Sequence, residues 1–259
     1  MKNVALITGA SSGIGKELAR IHASKNGDLV LVARREEELL ALKSELEHTY
    51  KVAVEVFVCD LMRPHSAKEV VEFIQSKNIE VEVLMNNAGL GGYGNFNERE
   101  LNKELDMIQL NIVTLTELTH LILPQMIARK SGKILNTAST AGFMPGPLQA
   151  VYFATKAFVV SFSQGIAHEL QGKGITVTAL CPGPVKTGFE SAAGMSGSGL
   201  FEKSASASST ALKGYKAMEN GKLIAITDGA LKFTINWILP LAPRRMVLKM
   251  IYKMQHIKK

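Results

Sequence analysis

The 259-residue chain is 46% hydrophobic, which is enough to bury the core of one large or two small domains and excludes disorder as its main state. Its net charge of +7 comes from one end: residues 229–259 hold seven basic residues and no acidic one, while 23 basic and 23 acidic residues balance in the remainder. Because basic and aromatic residues are not interleaved in a nucleic-acid motif, the charge predicts no DNA or RNA partner.

Short apolar runs of strand length alternate along the chain with longer segments of helical pattern. The predicted strands cover residues 4–7, 29–32, 52–58, 81–85, 132–136, 175–180 and 223–226. Helical patterns follow the first two strands at 16–24 and 36–47. This alternation predicts an α/β fold with a Rossmann-type doubly wound parallel sheet. Because no linker or charge run divides residues 1–190, we predict one domain over 1–259.

The composition changes towards the C-terminus. Residues 190–210 are rich in Ser, Ala and Gly, and we predict that 188–222 forms a substrate lid over the carboxyl edge of the sheet. We expect 230–259 to form a helical basic extension, with Val247, Met250, Ile251, Met254 and Ile257 on one helix face and basic residues on another. Such a helix can lie on an anionic membrane, or it can pack on the domain or on a second subunit. We favour packing.

The cysteines and the N-terminus bear on the cellular compartment. Cys59 and Cys181 each end an apolar stretch, and neither belongs to a C-x-x-C motif or to a His/Cys spacing that binds metal. We therefore predict two buried, reduced thiols and no metal site. The first apolar run, 4–7, is too short for a signal peptide, and no apolar stretch reaches transmembrane length. These features predict a cytoplasmic protein made without an export signal.

A glycine-rich turn, TGASSGIG at residues 8–15, joins the first predicted strand to the first helix. Glycines remove the Cβ atoms that would keep a pyrophosphate from the free N–H groups of a helix N-terminus. The spacing G-x-x-x-G-x-G differs from the standard dinucleotide motif, and such a turn can also be only a tight connection. Its position after the first strand favours phosphate binding. The candidate contacts are Gly9, Ser11, Ser12, Gly13, Ile14 and Gly15.

The second predicted strand ends in Arg34 and Arg35, where an NAD-specific site would typically place a carboxylate on the ribose. Two guanidinium groups favour a 2′-phosphate through charge-assisted hydrogen bonds, so NADP is preferred over NAD. In the alternative interpretation, the two arginines only form surface ion pairs with the acidic residues of the following helix, Glu37, Glu38 and Glu45.

The third predicted strand ends at Asp60, in the sequence CDL. Its carboxylate is placed to accept a hydrogen bond from the adenine amino group, with Leu61 beside it. Alternatively, Asp60 caps the helical segment that follows Pro64.

A tyrosine and a lysine lie four residues apart in the nearly apolar segment VYFATKAFVV, residues 151–160. If the segment is helical, Tyr152 and Lys156 share one face, close enough for the ammonium to act on the phenol. The alternative is a core helix with a snorkelling lysine and a tyrosine tip that reaches water.

Taken in order, the motifs resemble those of the classical short-chain dehydrogenase/reductase family over about residues 1–190. They are TGASSGIG at 8–15, Asp60, NNAG at 86–89, Asn111, Ser139, Tyr152-x-x-x-Lys156 and PGPVKT at 182–187. Ser139 lies 13 residues before Tyr152, and Asn111 lies 28 before Ser139. Each motif is weak alone, and the ordered set with these spacings matches the family pattern.

The resemblance implies catalytic roles for four residues. Tyr152 would give a proton to a substrate carbonyl oxygen as hydride arrives from the nicotinamide, or remove it in the reverse direction. Lys156 would lower the pKa of the phenol, which is ordinarily near 10, and bind the nicotinamide ribose. Ser139 would hold the carbonyl, or else only cap the following turn. Asn111 would hold a water that passes protons to Lys156.

The resemblance also implies an NADP(H) cofactor and its remaining contacts. Asn87, Ala88 and Gly89 would lie beside its adenosine side, although these residues can also simply end the fourth strand. Pro182, Gly183 and Val185 would approach the nicotinamide carboxamide with Thr187, or else form a plain loop. The predicted activity is that of an NADP(H)-dependent carbonyl reductase or alcohol dehydrogenase. The alternative is a non-catalytic NADP-binding regulatory protein.

The expected substrate is a small molecule with hydrophobic substituents. The predicted pocket lining is apolar: Phe143, Met144, Leu148, Phe189, Met195, Leu200 and Phe201. Lys203 could contact an acidic group. The C-terminal extension departs from the common family ending, so the usual tetramer is in doubt, and we expect a homo-oligomer that is a dimer.

Overall fold

The computed structural model describes residues 1–195 and 204–256, and its centre is a seven-stranded parallel sheet. The strands are β1 (Val4–Thr8), β2 (Leu29–Ala33), β3 (Val54–Val58), β4 (Val81–Asn86), β5 (Gly132–Thr137), β6 (Ile175–Cys181) and β9 (Ile224–Ile226). Their order across the sheet is β3-β2-β1-β4-β5-β6-β9. A separate two-stranded pair joins β7 (Val185–Lys186) to β8 (Ala205–Ser206). The predicted doubly wound parallel sheet is confirmed.

Helices cover both faces of the sheet. They are α1 (Gly13–Ala23), α2 (Glu36–Tyr50), α3 (Ser66–Ser76), α4 (Leu101–Ile108), α5 (Leu115–Arg129), α6 (Ala150–Glu169), α7 (Phe189–Ala192), α8 (Ala207–Glu219), α9 (Gly229–Phe233) and α10 (Arg244–Gln255). A π-helical turn, Gln109–Thr114, lies between α4 and α5, and another, Thr234–Ile238, follows α9.

Alternate side chains of β1 enter two different cores. Val4 and Leu6 pack in the core on one face of the sheet, whereas Ala5 and Ile7 pack in the core on the other face. All five residues of β1 are buried, which is the pattern of a strand covered by helices on both sides. The continuous apolar runs of the sequence therefore mark central strands of the sheet.

The lid predicted for residues 188–222 is too long. Its second half contains α8, which packs against α1 and buries Ala211, Tyr215 and Met218 in a main core of the domain. The Tyr215 hydroxyl also lies 2.9 Å from Nδ1 of the buried His22 in α1. A helix held in this way is part of the fold, so any lid is confined to residues upstream of α8. Leu200, Phe201 and Lys203 lie outside the described residues.

The C-terminal helix α10 packs on the domain, as favoured from the sequence. Val247 and Ile251 are buried against Ala141 and Phe153. Met250 and Met254, predicted for the same buried face, are instead exposed. The buried stripe of α10 is narrow and consists of every fourth residue, Val247, Ile251 and Gln255. Ile257 lies beyond the described residues. Among residues 1–195 and 204–256, no helix is long and apolar enough to span a bilayer.

Candidate active site

A cavity of about 810 Å³ holds most of the predicted site residues. They line it from the first strand-to-helix turn to the start of α6 and the segment after β6: Gly9, Ser11, Ser12, Ile14, Arg34, Arg35, Asp60, Leu61, Asn87, Ala88, Gly89, Ser139, Tyr152, Lys156, Pro182, Gly183, Val185 and Thr187. Gly13, Gly15 and Asn111 are not in its lining. The motifs of seven separated segments thus meet in one space.

The glycine-rich turn needs its glycines for three different reasons. Gly9 and Gly13 have φ angles of +66° and +56°, in the left-handed region that favours glycine. A Cβ atom on Gly9 would lie 2.9 Å from the Cα of Ala88. A Cβ on Gly15 would lie 2.3 Å from the carbonyl oxygen of Gly9, so Gly15 allows close packing of α1 on the turn rather than direct contact with a ligand.

This turn fits an anion at the start of α1. The helix begins at Gly13, and the Ser12 side chain at its N-cap makes no capping hydrogen bond. The Ser12 side chain therefore leaves the first N–H groups of α1 uncapped, and free N–H groups at a helix N-terminus can bind a phosphate.

Arg35 lies directly over the same turn. Its Nη2 donates to Ser11 Oγ at 2.9 Å and to Ser12 Oγ at 2.6 Å. Its ion pair with Glu38, 3.6 Å long, joins two half-exposed side chains, and such pairs contribute little in water. The alternative pairing with Glu45 is wrong, since Glu45 binds Arg20 of α1 at 2.7 Å. A guanidinium group thus stands beside the proposed phosphate turn.

The NNAG segment ties the ends of β1 and β4 together. Thr8 Oγ1 accepts hydrogen bonds of 3.0 Å from the backbone N–H groups of Asn87 and Ala88, and Asn87 Nδ2 donates to the Thr8 carbonyl at 3.1 Å. Sequence reasoning did not single out Thr8, although it opens the TGASSGIG motif. These residues end β4 in a turn and line the cavity at the same time, so the two interpretations are compatible.

Asp60 caps a turn rather than a helix. Its Oδ1 accepts from the Met62 N–H at 3.1 Å, whereas α3 begins at Ser66 and its N-cap residue is His65. The alternative in which Asp60 caps that helix is therefore wrong.

Tyr152 and Lys156 lie on α6, one turn apart. Lys156 is only 5% exposed, so the snorkelling alternative is wrong. Its Nζ donates to the Thr137 carbonyl at 2.8 Å and lies 5.9 Å from the centroid of the Tyr152 ring. The sequence pattern correctly put both groups on one face.

Burial changes the pKa of both groups in the direction that favours their uncharged forms. It lowers the pKa of Lys156 to about 8, and it raises the pKa of Tyr152 to about 12, with the Ser139 hydroxyl acting in the opposite direction. Burial also raises the pKa of the Cys181 thiol to about 12, so this cysteine stays protonated. The predicted lowering of the Tyr152 pKa by Lys156 is not found in the protein alone, because desolvation of the phenol dominates.

Ser139 caps the turn that follows it and also lines the cavity, so the two roles considered from the sequence are compatible. Its Oγ accepts from the Ala141 N–H at 3.1 Å and so caps the short helical turn Thr140–Phe143. The same hydroxyl lines the cavity and opposes the rise of the Tyr152 pKa. Capping fixes the hydroxyl beside the phenol, which is the position a carbonyl-binding group needs.

Asn111 lies behind the cavity, in the π-helical turn between α4 and α5. Its Oδ1 accepts from the Leu90 N–H at 2.9 Å, and its Nδ2 donates to the Leu90 carbonyl at 2.9 Å and to Thr155 Oγ1 at 3.0 Å. These bonds use the side-chain amide to hold Leu90, in the loop after β4, and α6 in position. π-Helical turns inside helices often occur at functional sites, which agrees with this placement.

The predicted apolar lining is only partly correct. Met144, Phe189 and Met195 line the cavity, and the Phe189 ring lies 5.5 Å from the Tyr152 ring. Phe143 instead packs in the core beside α6. Leu148 lies in a loop with a positive φ, and its carbonyl oxygen accepts a hydrogen bond from the Gly94 N–H.

Sequence reasoning missed the C-terminal wall of the cavity. Leu231, Ile251, Met254 and Gln255 line it, and Gln149 Nε2 donates to Gln255 Oε1 at 3.1 Å. Both glutamines are buried. No local pattern marks a contact between residues 106 apart in the chain.

The site agrees with the comparisons to known proteins. Residues 3–195 match the family described as short chain dehydrogenase. The very-long-chain 3-oxoacyl-CoA reductase of Anas platyrhynchos is 36% identical over 189 residues, which cover 71% of this chain and 60% of that protein, less than two thirds of its length. A short-chain dehydrogenase from Sphingobium yanoikuyae, solved with NADPH, has a TM-score of 0.81 and 31% identity over 93% of this chain and 96% of its own. One from Burkholderia phymatum, solved with NAD, has a TM-score of 0.81 and 25% identity over 90% and 91%.

Proposed function

Because the chain belongs to the short-chain dehydrogenase family, and is therefore an oxidoreductase, we propose that it transfers a hydride between NADP(H) and a carbonyl or secondary alcohol of a hydrophobic substrate. The observation that carries this proposal is the meeting of Ser139, Tyr152 and Lys156 with the anion-binding turn in one cavity. A non-catalytic NADP-binding regulator would have no need for this set of acid, lysine and hydroxyl groups.

The cavity fits a nicotinamide dinucleotide, because its space of about 810 Å³ runs from the glycine-rich turn past Asp60 to Tyr152 and Lys156. The first turn of α1 would hold the pyrophosphate, Asp60 and Leu61 the adenine, and Lys156 the nicotinamide ribose. The segment from Pro182 to Thr187 would hold the carboxamide. Bound NADPH supplies the hydride.

The chain's own residues handle the proton. Tyr152, with its pKa raised by burial, is protonated at neutral pH and can donate its phenolic proton to the carbonyl oxygen, which becomes the alcohol. The capped Ser139 hydroxyl holds that oxygen within reach of the phenol. Lys156, fixed by the Thr137 carbonyl, would stabilise the phenolate that remains. We propose that Asn111 orders a water for reprotonation through its Oδ1, which can accept one hydrogen bond beyond that from Leu90.

The substrate proposal depends on the walls of the cavity near Tyr152. Met144, Phe153, Phe189, Met195 and Ile251 surround that end with apolar surface. A hydrophobic ketone or an acyl chain suits such walls, and a 3-oxoacyl-CoA is the substrate class in the name of the Anas platyrhynchos relative.

The buried thiols Cys59 and Cys181 suit a reducing compartment such as the cytoplasm, and the dimer stays a prediction.

The cofactor preference can be tested at Arg34 and Arg35. Replacing both with alanine is expected to weaken NADPH binding about 10- to 100-fold and NADH binding hardly at all, because only NADPH carries the 2′-phosphate that these groups would bind. Dissociation constants from isothermal titration calorimetry measure both effects. Lys43→Ala, on helix α2 that follows the two arginines, is the control and should change neither dissociation constant. Equal losses for the two cofactors would contradict the preference for NADP.

A further inference from the structure

The last described segment exposes an unusual amount of apolar surface. Leu241 is 86% exposed, Trp237 68% and Phe233 60%. We define the C-terminal outer surface by its exposed apolar residues, Phe233, Trp237, Ile238, Leu241, Met246 and Met250. Exposed apolar clusters that contain aromatic residues typically mark binding surfaces rather than free solvent-facing surface.

Basic side chains lie among these apolar residues along the chain. Lys232, Arg244, Arg245, Lys249 and Lys253 are all exposed. In the described part of the chain, none of the five forms an ion pair. The whole sequence from 229 to 259 contains no acidic residue. The partner of this surface must therefore supply negative charge and accept apolar side chains.

We propose that the C-terminal outer surface docks on an anionic lipid bilayer. Lipid headgroups supply the negative charge, and the interface below them accepts tryptophan and other apolar side chains. A second copy of this chain fits less well, since a two-fold contact would bring each basic cluster against its own copy. The residues that dock are mainly those between α9 and α10, because Val247 and Ile251 of α10 are already buried in the domain.

Docking would place one wall of the cavity next to lipid. Leu231 of α9 and Ile251 of α10 line the cavity, while Phe233 and Met250 of the same two helices are exposed. One short segment therefore has an inner face towards the cavity and an outer face towards the bilayer.

The test is co-sedimentation of the full-length protein with vesicles of phosphatidylcholine, alone or mixed with phosphatidylserine. We expect retention on the mixed vesicles at low salt, release as salt rises, and little retention on phosphatidylcholine alone. Each basic side chain near an anionic surface contributes a factor of about five, so Arg244→Gln with Arg245→Gln should weaken binding about 25-fold. Trp237→Ser with Leu241→Ser should weaken it at least about tenfold.

Matched controls come from other parts of the surface. Phe96→Ser with Leu101→Ser removes two similarly exposed apolar side chains, and Lys173→Gln with Lys222→Gln removes two exposed charges; both should leave retention unchanged. Melting temperatures show whether each variant is folded. If Trp237→Ser with Leu241→Ser does not fold, Arg244→Gln with Arg245→Gln still tests the proposal. Absence of retention on the mixed vesicles would overturn the proposal, as would retention that these variants do not lower. The proposal would also be overturned if the wild type were a dimer, Trp237→Ser with Leu241→Ser made it a monomer, and vesicles retained neither the wild type nor this variant.

Discussion

Tyr152→Phe is expected to lower kcat for carbonyl reduction about 10²- to 10⁴-fold, the contribution typical of a positioned general acid. The phenylalanine ring keeps the packing against Phe153 and Phe189, whose rings lie 6.0 and 5.5 Å from the Tyr152 ring, so the fold and the cavity are retained. The dissociation constant of NADPH should stay within a few-fold, because the phenol acts on the substrate. Steady-state kinetics and NADPH titration measure the two quantities.

Tyr252→Phe is the matched control, since Tyr252 is an exposed tyrosine on α10. It removes the same hydroxyl from a position outside the cavity lining and should leave kcat unchanged. A Tyr152→Phe enzyme that retains its turnover would rule out the phenol as proton donor.

Lys156→Met is expected to damage both catalysis and cofactor binding. It removes the charge next to the phenol and the donor proposed for the nicotinamide ribose, while the volume in the buried position stays similar. Loss of charged hydrogen bonds should weaken NADPH binding about 10- to 100-fold, and kcat should fall as well. Calorimetric titration and kinetics check the two effects, and unchanged NADPH binding would remove the ribose contact from the account.

The same substitution has an expected signature in stability. Burial lowers the pKa of Lys156 from 10.5 to about 8 in the folded protein, so its protonated form destabilises the fold. This penalty is fully present below pH 8 and disappears as the pH rises towards 10.5. At pH 7 it is on the order of 3 kcal/mol, which offsets the lost hydrogen bond to Thr137. At pH 7, Lys156→Met should therefore unfold at a urea concentration at least as high as the wild type does.

Urea denaturation at several pH values measures this effect. The stability of Lys156→Met relative to the wild type should decrease as the pH rises from about 8 towards 10.5. A strongly destabilised variant at pH 7 would indicate that Lys156 is mainly structural.

Local sequence patterns were sufficient for the sheet and for the centre of the site. Continuous apolar runs identify β1 and β2 because a parallel strand is buried on both faces. The position of Arg34 and Arg35 directly after β2 places them at the carboxyl edge, where the glycine-rich turn also lies. The spacing of Tyr152 and Lys156 needs only a helix to put them on one face.

Contacts between distant segments could not be predicted in this way. The sequence marks Asn111 as a poor helix former, but only the fold shows that its amide holds Leu90 and Thr155. The composition of 190–210 suggested a lid that extends to 222, yet Tyr215 within that range anchors α8 to His22. The wall formed by Ile251 and Gln255 depends on where α10 packs, and amphipathic spacing alone does not select a partner surface.

We propose that Tyr152 protonates a carbonyl oxygen as NADPH delivers hydride in this cavity. The most direct measurement is a single turnover in which the enzyme is in excess over NADPH labelled with deuterium at the transferable position, with a panel of hydrophobic ketones as substrates. We predict that the alcohol formed by the wild type carries the deuterium and that Tyr152→Phe forms almost none, although it binds NADPH. Binding of NADPH without transfer to any ketone of the panel by the wild type, or equal transfer by Tyr152→Phe, would contradict the account.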